Sequence, residues 1–313
     1  MRKEKPAILI EFLNYLLAMN YSNATIKGYE RDLLIFFNFM IKYLNLKINI
    51  KDINIFIIMK IKRTDIIAFT VFLNYNRNNI WSTRKRKLAS IKNFYSYMYL
   101  KYPEFRKIEN PMSKSFNIKR VERLPKYLQL NDAKRLQHIF NITNSRNSLR
   151  NNTILVLFLN TGMRLSELTN IKIRDVSLEK KTINVIGKGN IERILYLNSI
   201  SLKYLNNYLV TLKDKNNKSY LFSNKRGDKL SNIAVENICL KAFKLAGIGN
   251  KGYTTHTLRH TAATYVYNTT KDIIVTKNLL GHKHIVSTQI YTHISSEELK
   301  KAVNSNPLNN FKY

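Results

Sequence analysis

The chain has 313 residues, room for one large or two medium domains, and 44% of them are hydrophobic, ordinary for a globular protein. Its 53 Lys and Arg stand against 20 Asp and Glu, a formal net charge of +33. A monomer that basic repels itself unless a polyanion compensates; nucleic acid is the leading candidate and an anionic membrane surface the second. The crowding of Lys, Asn and Ile is what an A/T-rich coding sequence produces, yet that bias alone does not thin the acids so far.

The apolar stretch at residues 7–19 argues against a membrane anchor: Glu11 and Asn14 interrupt it, and it is too short to span. With no small-residue cleavage site after it, no signal peptide is expected. The single cysteine, Cys239, rules out an intramolecular disulfide and a thiolate zinc site. The expected setting is therefore reduced and cytoplasmic, with no membrane partner.

The first 112 residues or so read as helices. Leu9, Phe12, Leu13, Leu16 and Leu17 recur at helical spacing. "SNATIKGYERDLLIFFNFMIKYL" follows, with Ser22 or Asn23 as N-cap. "TDIIAFTVFLNY" starts a third helix near Thr64. "STRKRKLASIKNFYSYMYL" is a fourth, capped by Ser82 or Thr83 and ended before Pro103. On that fourth helix Leu88, Ile91, Tyr95 and Met98 form one stripe, and Lys85, Arg86, Lys92 and Asn93 lie roughly opposite. Such a face can be merely solvated. The charge balance favours a helix laid on DNA, with Lys and Arg on phosphates and Asn93 on a base edge.

Asn110 and Pro111 close this unit. Residues 113–126, "SKSFNIKRVERLPK", lack an apolar period and read as a linker. Beyond it, "LNDAKRLQHIF" is a helix that Asn131 or Asp132 can cap, "NNTILVLFLNTG" a strongly apolar helix ended at Gly162, and "RLSELTNI" the start of another. "KTINVIGKGNIERILYL" reads as two strands around a Gly-rich hairpin. "NIAVENICLKAFKLAG", "TLRHTAATYVYN", "DIIVTKNLLG" and "SSEELKKAV" return to helix. The expected fold is mainly α in two domains, residues 1–112 and 127–313, the second with a small antiparallel sheet.

Two chemistries compete for the histidines. His256 and His260 stand at i, i+4 like a zinc-binding pair, but Thr257 occupies the position of the required Glu and Arg259 adds positive charge beside the site. His282 and His284 have no nearby Asp or Cys to complete a set, so no metal is expected. A phosphate site accounts for more. Arg164 and Arg259 can grip non-bridging oxygens. His256 and His282 can hydrogen-bond or shuttle a proton. Lys188, at the hairpin tip, can protonate a leaving oxygen, and Tyr291 can attack as nucleophile. No cofactor is needed, because the guanidinium groups supply the charge. Each residue alone is weak; the ordered set is specific.

That order, in "TGMRLSEL", "VIGKGNIERILYL", "HTLRHTAAT" and "LLGHKHIVSTQIYTH", closely resembles the tyrosine recombinase (phage integrase) family, over residues 127–300. The first half looks like the family's helical, SAM-like core-binding domain, though less distinctively. With no extra N-terminal arm-binding module, the chain is most similar to the compact Xer-type recombinases or a simple mobile-element integrase. Ile191 stands where the family often carries a second lysine, which touches no catalytic position. The resemblance implies that Tyr291 attacks the scissile phosphate and becomes linked to a DNA 3′ end. It implies that Arg164 and Arg259 hold the phosphate oxygens, that His256 assists proton transfer and that His282 hydrogen-bonds the phosphate. Lys188 would protonate the departing 5′ oxygen. Glu167 either orients an active-site group or is a helix-surface carboxylate. His260, His284 and His293 are not expected to be catalytic.

The resemblance further implies strand exchange through a Holliday junction between double-stranded DNAs carrying a specific site, with four protomers, alike or of two related kinds, and room for an accessory protein. Leu299, Val303, Leu308 and Phe311 of the tail suit docking on a neighbouring protomer or packing on their own domain. The alternatives are a type IB topoisomerase, with the same chemistry but no synapsis, and a non-catalytic DNA-binding protein, which would have no need of Tyr291.

Overall fold

The computed structural model describes residues 4–114, 116, 118, 126–143, 145–187, 192–212 and 216–281. The chain divides into two units, Met1–Glu122 and Arg123–Tyr313. Both are mainly helical, and the one sheet among the described residues has three strands.

The first unit is built from α1 (Ala7–Ala18), α2 (Asn23–Tyr43), α3 (Ile55–Lys60), α4 (Arg63–Tyr75) and α5 (Trp81–Lys101). On α1 the buried positions are Ile8, Leu9, Phe12 and Leu16, whereas Leu17 is 58% exposed, one step off the stripe. The Ser22 hydroxyl caps α2 by accepting from the Thr25 N–H. Leu88, Ile91, Tyr95 and Met98 of α5 are all buried, as their period requires. Edge-on aromatic pairs knit the core: Phe12 with Phe94 at 5.4 Å, Phe37 with Phe94 at 5.5 Å and Phe36 with Phe69 at 5.2 Å. Each fully buried ring contributes about 1.5–3 kcal/mol by burial, with a further increment from its edge-to-face geometry.

Three start points differ from the sequence reading. α4 begins at Arg63, with the Asp65 carboxylate accepting from the Lys62 N–H. α5 begins at Trp81 with Ile80 before it, so Ser82 and Thr83 lie inside the first turn and cap nothing. In the second unit α6 (Leu130–Leu136) begins one residue before Asn131, with Gln129 at its N-cap position. There Asp132 sits in the first turn, where its charge favours the positive helix end.

α7 (Ser148–Thr161) is the centre of the second core. Its residues from Asn152 to Leu159 are buried in succession, so it is enclosed all round rather than one-sided. It ends at Gly162 in the left-handed region, φ 62°. A Cβ there would lie 3.1 Å from Leu280 Cδ2 and 3.5 Å from Ala262 Cβ, so the glycine also permits a close approach. α8 (Leu165–Asn170) follows at once. Then come β1 (Val176–Ser177), β2 (Thr182–Ile186) and β3 (Glu192–Tyr196), antiparallel in that order, with Ile183 opposite Leu195 and Val185 opposite Arg193. α9 (Ser199–Thr211), α10 (Asn232–Leu245), α11 (Thr255–Thr270) and α12 (Ile273–Leu280) complete the unit. Side-chain caps start three of the helices: Asn198 for α9, Ser231 for α10 and Asp272 for α12. Cys239 is buried on α10, and burial pushes its thiol up to about 12, which makes it inert.

Candidate active site

Arg164 occupies the N-cap position of α8, directly after the Gly162 turn. Glu167, three residues on, holds it twice: one carboxylate oxygen accepts from the Arg164 backbone N–H at 2.7 Å, the other from its guanidinium at 2.8 Å. Glu167 is 1% exposed, so it is not the helix-surface carboxylate that the sequence left open. It also accepts from Arg193 of β3 at 2.9 Å. Burial raises the carboxyl's pKa, but the hydrogen bonds and charges of Arg193 and Arg164 outweigh that and hold it below the usual value. Glu167 is therefore ionised at neutral pH, and its two oxygens fix two cations.

The cations converge on the end of α12. A helix leaves its last carbonyls without helical partners and carries partial negative charge there. Here three consecutive ones are each taken by a different guanidinium. Arg193 donates to the Leu279 carbonyl, Arg259 of α11 to Leu280 at 2.7 Å, and Arg164 to Gly281 at 3.1 Å. Arg259, 4% exposed, also donates to the Gly162 carbonyl. Arg164 and Arg259, distant in sequence, thus meet on adjacent carbonyls. With three guanidinium groups against the single carboxylate of Glu167, the cluster keeps two positive charges in excess. That is suited to a phosphate.

His256, three residues before Arg259 on α11, keeps contact with solvent. Partial burial of its ring, then the charges of Arg259 and Arg164, hold its pKa below 6.5. It is neutral at physiological pH and able to accept a proton. His260 packs its ring edge-on against His256, with centroids 5.6 Å apart. Burial, then His256 and Arg259, push it down to about 4. This neutral neighbour supports the His256 ring.

Of the catalytic residues read from the sequence, Arg164, His256 and Arg259 are brought together. Lys188, His282 and Tyr291 lie outside the described residues, as do His284, His293 and the tail with Leu299, Val303, Leu308 and Phe311. Most of the linker at 113–126 lies outside them too. Arg193 was missed. A signal for it existed: strand alternation in "ERILYL" puts Arg193 in phase with Leu195 and Leu197, which are buried at 2% and 6% exposure. A charge on an inward-facing phase calls for a buried partner.

In the first unit Lys85, Arg86 and Lys92 are exposed on α5 and Asn93 is half-buried. Two of these four are held by α2. Asp32, fully buried, binds the Arg86 guanidinium with both oxygens and also accepts from Lys87 at 3.2 Å and Ser90 at 2.9 Å. The Asn93 amide donates to the Tyr29 hydroxyl. Lys87 lies on the buried side and is not part of the basic face.

The described residues thus form a mostly helical chain with one short antiparallel sheet, in which a buried glutamate fixes Arg164 and Arg193. Residues 126–298 match the phage integrase family. Tyrosine recombinase XerC of Caldanaerobacter subterraneus subsp. tengcongensis is 38% identical, with 97% of this chain and 87% of that protein covered. Tyrosine recombinase XerD of Listeria monocytogenes is 31% identical, covering 94% and 96%. Among solved structures, XerH site-specific recombinase bound to its difH substrate superposes with a TM-score of 0.71 at 23% identity, over 95% of this chain and 83% of that one, which speaks for the fold. The chain belongs to the tyrosine recombinase (phage integrase) family and is Xer-like. It is a site-specific DNA recombinase; the topoisomerase alternative is not favoured, since these relatives are tyrosine recombinases. No helix of the described residues is long and apolar enough to cross a membrane.

Proposed function

We propose that the chain cuts and rejoins duplex DNA at a specific site through a 3′-phosphotyrosine and a Holliday junction. Tyr291 attacks the scissile phosphorus, and His256 takes its proton. Arg164, Arg259 and His282 hold the non-bridging oxygens. The P–O5′ bond breaks, and Lys188 protonates the departing oxygen. The 5′-hydroxyl of the partner strand then attacks the phosphotyrosine and releases the phenol. The ester stores the cleaved bond, so no nucleotide or metal is required.

The observation that carries this reading is the meeting of Arg164 and Arg259 on adjacent carbonyls, with a neutral His256 beside them. Two fixed cations at a developing pentavalent phosphorane need no reorganisation during the reaction, and one such donor is worth about 10²–10³ in rate. In this reading the first unit holds a core-binding domain at 1–112, followed by a linker at 113–126 and a catalytic domain from 127 onward; the division into two units, between residues 122 and 123, supports two domains. Lys85, Arg86, Lys92 and Asn93 face the duplex in this reading. Asp32 fixes the Arg86 guanidinium while leaving the side chain 45% exposed, ready for phosphate or guanine. Four protomers on two sites, in the cytoplasm and on the nucleoid, complete the proposal, with the C-terminal tail docking on a neighbour.

A nicked suicide duplex carrying the correct site tests it. In EDTA the protein is expected to trap a covalent DNA adduct, and Tyr291→Phe to abolish the adduct while still retaining DNA. An unchanged adduct yield in that variant refutes the nucleophile. Lys188→Ala is expected to cleave slowly and to regain rate on a 5′-phosphorothiolate, whose leaving group needs no proton.

A further inference from the structure

We infer that Arg193 is a positioning residue for strand cleavage, tying together three of the four chain segments that carry the proposed catalytic groups. The inference rests on the reading above, in which Arg164 and Arg259 hold the phosphate. Its side chain is 14% exposed and runs inward from β3, opposite Val185. One terminal nitrogen donates to Glu167 at 2.9 Å, the carboxylate that also fixes Arg164. The other donates to the Leu279 carbonyl at the end of α12. Its Cδ and Nε lie against Gly281: a Cβ built there would be 2.8 Å from Cδ and 3.0 Å from Nε. The buried Nε–H has no partner among the described residues.

These contacts have a common sense. β3 is the strand that follows the connection containing Lys188. Glu167 is the clamp on Arg164. Gly281 is the last described residue before His282 and the stretch to Tyr291. One planar fork therefore sets the base of the lysine hairpin, the arginine clamp and the origin of the nucleophile segment against each other. A point cation cannot do the same, because two acceptors in different directions need two divergent N–H groups on one rigid plane. Arg193 touches no substrate in this role; it acts through Glu167 and through the α12 terminus. Gly281, with φ 62°, is the complement: only a residue without Cβ lets the fork pass.

The test is a single-turnover cleavage cycle at saturating suicide duplex, with duplex affinity and thermal melting measured for each protein. Arg193→Ala is expected to retain DNA as the wild type does and to form adduct about 100-fold more slowly. Such a loss in rate at saturation without a loss in affinity is one that general destabilisation would not produce. Arg193→Lys, which keeps the charge but not the fork, is expected to recover only part of the rate, and it carries the test if the alanine variant does not fold. Combining Arg193→Ala with Glu167→Gln is expected to slow cleavage by less than the product of the two single losses, because the two side chains share one ion pair. Losses that multiply, a cleavage rate unchanged in Arg193→Ala, or affinity and rate falling together overturn the inference. A wild type that forms no adduct overturns the functional reading and this inference with it. A wild type that forms one beside an unaffected Arg193→Ala overturns this inference alone.

Discussion

At the scale of single residues, the site is an electrostatic arrangement around Glu167. A buried carboxylate that binds two guanidinium groups leaves both uncompensated when removed. Glu167→Ala is expected to destabilise the fold by about 3 kcal/mol in denaturant melts, the usual cost of breaking a buried ion pair, and to slow cleavage further than that loss explains. The histidines set a pH dependence. His260 has a folded pKa of about 4 against an ordinary value of 6.5, so between those values the unfolded chain binds the proton first. Stability is then fully present above about pH 6.5 and is lost as pH falls toward 4. His256 and Glu167 act in the same direction, since their folded pKa values are lowered too. His260→Gln is expected to flatten the fall in melting temperature across that window; an unchanged slope would remove His260 from the account. The sequence singles out Arg164, His256 and Arg259, each in a short ordered motif, and the fold brings the three side chains together. Glu167 was only half legible: a carboxylate one turn from an arginine looks the same in sequence whether buried or solvated. Arg193 was legible only as a charge on the inward phase of its strand; its partners, Glu167 and the Leu279 carbonyl, are distant in sequence.

At the scale of elements, the end of α12 and the α2–α5 pair decide most. Gly281→Ala would put a methyl into the Arg193 side chain and force a left-handed φ on alanine. The backbone term alone costs about 1–2 kcal/mol. The expected outcome is a modest loss in melting temperature with a large loss in cleavage; a cleavage rate equal to wild type would show that the α12 terminus does not set the site. Asp32→Ala is expected to cost about 3 kcal/mol, as removal of the partner of a buried lysine does. It should also weaken duplex binding by releasing Arg86, read as a change in affinity beside the melt. The long periodic helices were legible, α5 above all, because a stripe of buried residues repeats over many turns. α3 was not: "IFIIMK" is apolar up to Lys60 and shows no period. α9 carries readable signals, the Asn198 cap and the spacing of Leu202, Leu205 and Leu209. The start of α5 misled because Ser82 and Thr83 are good caps by type, whereas packing places the first turn at Trp81.

At the scale of the whole molecule, net charge governs encounter with DNA. A chain at +33 that sets about ten cations on phosphates is expected to lose affinity with a log–log salt slope of about −9. Retention of duplex by Tyr291→Phe across a salt series checks this, and a slope near zero would contradict a phosphate-dominated interface. The loss of apolar period after Pro111 marks a boundary in the sequence, yet Phe116 and Ile118 still pack on the first core, and the two units divide between Glu122 and Arg123. Which bases are read was not legible, because specificity depends on a few side chains meeting base edges and on the cost of bending the duplex.

The central claim is covalent capture of a DNA 3′ end by one phenol, with arginines in place of metal ions. Peptide mapping by mass spectrometry of the adduct trapped on a suicide duplex in EDTA tests it most directly. The account expects a 3′-phosphorylated nucleotide on the peptide containing Tyr291 and on no other. A nucleotide attached to a different side chain, or joined through its 5′ end, would contradict it.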